Sequence, residues 1–130
     1  MKIVIAVVVA FSLLAAEPIL AGEPTCQLYQ GANPYCQYTG LVQRAYVNES
    51  GVILLYFDTA LDLSSPSDVG ITGVTQAAAA AYHYDDNPEY AKLLYASILS
   101  AQARGVPVII QMRRAYSGYL VIDRIWVKNE

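Results

Sequence analysis

Arg113-Arg114, followed by Tyr116 and Tyr119, is the grouping in this chain best suited to gripping a ligand. Guanidinium donors hold carboxylates, and tyrosine rings offer flat apolar faces on which the C–H faces of sugars stack. The same four residues would also make an ordinary exposed hairpin tip. The lone histidine, His83, sits between Tyr82 and Tyr84 and just ahead of Asp85 and Asp86. A triad built on it would need a nucleophile and an orienting acid. The serine-rich stretch at 64–67 carries no nucleophile elbow. His83 is therefore read as a strand residue and the chain as non-enzymatic. Asp85, Asp86 and Glu89 lack the ligand alternation of a calcium loop. They are explained by the preference of negative charge for a helix start. No metal or cofactor is expected.

Cys26 and Cys36, the only cysteines, enclose Gly31, Asn33 and Pro34, residues that turn a chain back on itself. Two cysteines and one histidine without ligand spacing make a poor metal site. An even pair reads as a disulfide where the compartment is oxidising, and the first residues imply such a compartment. Lys2 starts a nearly unbroken apolar run from Ile3 to Ala16, Glu17-Pro18 interrupts it, and Ala21 precedes Gly22. That is the layout of a secretory signal peptide over residues 1–21, cleaved after Ala21 or alternatively after Ala16. The run is short for a bilayer span, which takes about 20 apolar residues. A secreted or periplasmic protein without a stable membrane anchor is expected.

Beyond the leader the chain suffices for one small domain. The formal net charge is −3, and removing Lys2 and Glu17 leaves it unchanged. A nucleic-acid partner is disfavoured because such partners need a basic face. Eleven tyrosines are unusual for this length. They suit both a small β-rich core and a recognition surface.

These side chains need a frame. Residues 22–38 read as a disulfide-pinned N-terminal segment and 39–130 as a barrel domain. Leu41 to Val47 and Val52 to Phe57 form a hairpin around Asn48-Glu49-Ser50-Gly51. Asn48-Glu49-Ser50 also matches a glycosylation acceptor but is read as a turn. Asp58 to Gly73 is a long polar loop. Gln76 to Tyr84 is read as a third strand despite its five alanines, because Tyr82-His83-Tyr84 and the abrupt acidic stop favour one. Asn87-Pro88-Glu89 starts a helix that ends at Arg104-Gly105, with Ala91, Leu94, Tyr95, Ile98 and Ala101 on one face. Val108 to Met112 and Tyr119 to Lys128 are the last strands, joined by a turn at Ala115 to Gly118. Strand, strand, loop, strand, helix, strand, strand is the order of a five-stranded OB-like Greek-key barrel with one α-helix, a mainly β fold.

Asp85-Asp86-Asn87-Pro88, the helix ending at Ala101 to Gly105, Val108 to Gln111 and the terminal run Tyr119 to Trp126 resemble small secreted bacterial proteins of the subtilase-cytotoxin B-subunit type. The resemblance covers about residues 39–128, and its motifs mark the fold rather than catalysis. It implies an OB-fold, recognition of a glycan or host-surface receptor, and assembly into a homo-oligomer, a pentamer. It transfers no sugar-contacting residue individually. A secreted glycan-binding module is the leading reading. A solitary periplasmic or envelope protein with a structural or protein-contact role is the alternative. Leu93 and Leu99 widen the apolar face of the helix, which gives an assembly something to bury.

Overall fold

The computed structural model describes residues 22–129. The expected leader and both candidate cleavage points, Ala16 and Ala21, lie outside them. Seven strands form one mixed sheet: β1 (Thr25–Tyr29), β2 (Asn33–Gly40), β3 (Ala45–Val47), β4 (Val52–Tyr56), β5 (Ala79–His83), β6 (Val108–Tyr116) and β7 (Tyr119–Val127). Two helices accompany them, α1 (Ser64–Asp68) and α2 (Pro88–Arg104). The spatial order is β1-β2-β6-β7-β5-β4-β3. Neighbours run antiparallel except β5 and β7, which are parallel.

The mainly β class stands, but the expected five-stranded closed barrel with a single helix does not. The cysteine-bearing segment is a hairpin, and its second strand pairs with β6 from Cys36 to Gly40. Cys26 and Cys36 are directly opposite in that hairpin and joined by a disulfide. Being an edge strand, β1 is mostly exposed and shows no apolar alternation, which is why it is silent in the sequence. Of the first expected strand, Leu41 to Val47, only β3 (Ala45–Val47) forms; residues 41–44 are irregular and connect it to β2. Inside the expected loop, Asp62 accepts from the Ser64 amide and hydroxyl, both at 2.9 Å, and starts the short α1 over the buried Pro66.

No ladder among the described residues joins the outermost strands, yet the sheet cannot be flat. From β2 to β3 there are five strand spacings, about 24 Å in a flat sheet. Only residues 41–44 connect them, and the steps from Gly40 to Ala45 reach at most about 19 Å. The sheet therefore curls. Tyr38, fully buried, holds this bend by donating its hydroxyl proton to the Leu41 carbonyl at 3.0 Å and accepting from the Asp58 amide at 3.3 Å. Gln102 of α2 donates to the Val42 carbonyl at 3.0 Å from the other side.

Helix α2 fills the concave face. Asn87 accepts from the Tyr90 amide at 3.1 Å, Pro88 opens the first turn, and Gly105 closes the helix at φ 63°. Its buried stripe is Ala91, Leu94, Ile98 and Ala101, which share one core cluster with Leu55, Ala80, Val108, Ile110, Leu120 and Ile122. Leu93 and Leu99 are 67% and 46% exposed, so the domain itself does not cover them. Alanine is a poor strand former, yet β5 alternates as a strand should: Ala80 and Tyr82 join the main core, while Ala79 and Ala81 pack with Leu54 in a separate cluster.

Tyr38→Phe leaves the Leu41 carbonyl without its phenol donor and the Asp58 amide without its acceptor. It is expected to cost about 1–3 kcal/mol, read as a lower urea midpoint at unchanged slope. An unchanged midpoint would show that the bend does not depend on this hydroxyl.

Candidate functional site

The four sequence-predicted residues sit along the β6–β7 hairpin. Strand β6 continues through Ala115 to Tyr116, so the turn is only Ser117-Gly118, tighter than the expected four residues. Ser117 and Gly118 both have positive φ, 49° and 84°, the pattern of a type I′ hairpin turn. The turn is docked: the Gly118 carbonyl accepts from the amides of Thr75 and Gln76 at 2.8 and 2.9 Å. A Cβ at Gly118 would lie 2.3 Å from Thr75 Oγ1. Tyr116 and Tyr119 face each other across the ladder.

Further along, the register slips twice. Gln111 pairs with Arg124, Met112 with Ile122 and Arg114 with Val121. Asp123 is thus the extra residue on β7 and Arg113 the extra residue on β6. Successive strand residues normally point to opposite faces, and a bulge re-aims them. Here the consequence is direct: Arg113, Arg114 and Asp123 all line one cleft.

Two clefts result, and they divide the predicted residues. A cleft of about 120 Å³ is lined by Ala81, Tyr82, His83, Tyr116 and Tyr119, and is almost wholly apolar. A larger cleft of about 370 Å³ is lined by Asn87, Tyr90, Arg113, Arg114 and Asp123. Both also touch Tyr82 and Val121. Arg114 pairs with Asp86 at 2.9 Å, and these partners belong to different clefts. Arg113 is 3.2 Å from Asp123, which also holds Arg124 at 2.7 Å. The disulfide hairpin reaches the site through Tyr35, whose ring centroid lies 5.7 Å from the Arg113 guanidinium.

His83 lies edge-on to Tyr116 at 6.3 Å between ring centroids, and its Nδ1 is 4.0 Å from Asp85. That spacing is too long for a hydrogen bond. The other acidic residues near the helix start are engaged by cations, Asp86 by Arg114 and Glu89 by Lys92 at 2.9 Å. Ala81, Asn87, Tyr90 and Asp123 were not singled out as site residues. Alanines in a strand were a readable hint of the first, whereas Asp123 enters only through a bulge that sequence does not disclose.

Tyr90 packs edge-on against Tyr82 at 4.9 Å between centroids. Its hydroxyl is buried and has no hydrogen-bond partner among the described residues. Burial chiefly, with the nearby Asp123 charge adding to it, pushes the Tyr90 phenol up to about 12. Burial also pushes Tyr38 up to about 12.

Comparison with family models, with curated proteins and with solved structures finds no match to this chain. Among the described residues no helix is long and apolar enough to cross a membrane.

Tyr38 and Tyr90, the most strongly shifted phenols, set an alkaline limit. Both bind their proton more tightly folded, at about 12, than unfolded, at about 10. The contribution of these two groups to stability is therefore constant below about pH 10 and falls as pH rises from 10 through 12. Tyr90→Phe removes an unpaired buried hydroxyl, so at neutral pH it should leave stability unchanged or raise it. Between pH 10 and 12 it should lose less stability than the parent. Denaturation series at pH 7 and pH 11 test this, and a destabilised variant at pH 7 would contradict the burial argument.

Proposed function

We propose that this chain is a secreted, non-enzymatic binding module that holds a glycan on the outer face of its sheet. The observation that carries the reading is the apolar cleft itself. Ala81, a small residue on a strand where larger ones fit better, leaves space beside Tyr116 and Tyr119 on the face opposite the Tyr82 ring. Tyrosine rings around a small-residue floor suit the C–H face of a sugar. The neighbouring polar cleft, with arginines and a carboxylate already paired to each other, offers donors and acceptors to hydroxyls. Such a pairing of an apolar and a polar surface is how ligand sites obtain both affinity and orientation.

The disulfide and the leader-like first residues support export. The toxin B-subunit-like resemblance supports the same use. The strand order is compatible with an OB-like arrangement in which β2 and β3 are the two halves of one bent first strand. Fold alone does not assign function, so the weight rests on the cleft. A second reading, an envelope protein engaged in protein contacts or self-assembly, draws on the exposed Leu93 and Leu99. It is favoured if Leu93→Glu or Leu99→Glu dissociates an oligomer and leaves the monomer folded.

A glycan-array screen of the exported protein tests the main reading, with Ala81→Leu and Tyr116→Ala as variants. Ala81→Leu fills the cleft and is expected to weaken glycan binding about tenfold or more, the equivalent of one lost good contact. Its far-UV spectrum should match that of the parent. Binding to no glycan, or unchanged binding in both variants, would overturn the assignment. Intact mass of the exported protein should place its first residue at Gly22, with Cys26 and Cys36 linked. A first residue of Met1 would remove the export argument.

A further inference from the structure

We infer that the polar cleft beside the start of α2 is a binding site for a singly charged oxyanion, a carboxylate or a sulfate ester. The inference does not rest on the sugar reading, because an oxyanion can occupy this cleft whether or not the apolar one holds a sugar. Four observations converge on it. First, the bulge at Arg113 brings two consecutive arginines to the lining of one cleft, whereas a regular strand would point them to opposite faces. Bulges of this kind are found where a side chain must be re-aimed next to a site.

Second, donors outnumber acceptors. Arg113 commits Nε to Asp123 and Arg114 commits one Nη to Asp86. Their other N–H groups remain for a ligand. Asn87 accepts from the Tyr90 amide through Oδ1, and its side-chain nitrogen has no partner among the described residues. The Tyr90 hydroxyl, which is buried, also has no partner among the described residues.

Third, the charge balance specifies the ligand. Arg113 and Arg114 against Asp123 leave one positive charge among the lining groups. The surrounding Asp86 and Arg124 cancel each other. The cleft is also beside the first turn of the seventeen-residue α2, whose dipole favours negative charge there. A single negative charge neutralises the site, whereas a doubly charged ligand would overfill it.

Fourth, Asp123 is shared. It is 2.7 Å from Arg124 and 3.2 Å from Arg113, so it can keep the shorter contact when an incoming oxyanion takes over Arg113. Tyr35 backs that guanidinium from the disulfide hairpin and keeps it in place during the exchange. About 370 Å³ is room for the oxyanion and the group that carries it.

The test is titration of the full protein with methyl sulfate and, separately, with acetate, followed by amide and side-chain NMR shifts at constant ionic strength in chloride. Saturable shifts at Asn87, Arg113 and Arg114 are expected with at least one probe. The tighter probe tells which of the two oxyanions the site prefers. Asn87→Asp keeps the helix cap, because Asp caps as well as Asn, but replaces the donor with a carboxylate. It should retain the parent melting temperature and bind the probe about tenfold more weakly or worse, the loss expected for a hydrogen bond to a charged group. Arg114→Gln, at an exposed position, should weaken binding to a similar degree. Shifts that rise linearly with both probes, or equal affinity in Asn87→Asp and Arg114→Gln, would overturn the inference. Neither result bears on whether Ala81→Leu blocks a glycan.

Discussion

The short connection between β2 and β3 is the constraint on which the rest of the structure depends. Four residues must bridge strands that a flat sheet would hold five spacings apart. The sheet bends because the chain is too short to allow anything else. Once bent, it has a concave face that needs filling, and α2 supplies Ala91, Leu94, Ile98 and Ala101 to fill it. The Leu41 and Val42 carbonyls at the bend must also be satisfied within the protein. Tyr38 does this from the sheet and Gln102 from the helix. A buried phenol with partners on both sides is therefore a structural joint as well as a core residue.

The candidate site follows from the same curvature. A sheet that coils tightly accumulates twist, and bulges are one way to absorb it. Strands β6 and β7 carry one extra residue each, Arg113 and Asp123. These two residues form an ion pair across the ladder. The irregularity that bends the hairpin thus also gathers its charges. On the other side of the Asp86–Arg114 pair, β5 presents alanine rather than a branched side chain. That choice sacrifices strand propensity and leaves room between the tyrosines. The bulged residues Arg113 and Asp123 line one cleft and Ala81 the other.

The disulfide belongs to this picture as more than a staple. It joins directly opposite residues of the β1–β2 hairpin, and closing a loop of about ten residues contributes on the order of 2–3 kcal/mol by chain-entropy reasoning. The hairpin it holds carries Tyr35 to the Arg113 guanidinium. Edge strand β1 buries little of its own surface, so a covalent link compensates for the apolar contacts that it lacks.

Local chemistry was legible in the sequence. The helix from Pro88 to Arg104 was readable because its cap, its proline and its terminal glycine each act within one turn. The disulfide followed from two cysteines around a turn, and the strand at 79–83 from tyrosines and an acidic stop outweighing alanine. Arg113, Arg114, Tyr116 and Tyr119 were recognisable as ligand-capable types. Their division between two clefts was not, because the direction of a strand side chain depends on register, and a bulge changes register without changing composition. The edge strand β1 and the break at residues 41–44 were equally hidden. An exposed edge has no apolar pattern to read, and a bend forced by the closure of distant strands is a property of the whole sheet. Only the tertiary structure decided those, since they depend on where residues far apart in the chain are brought to lie.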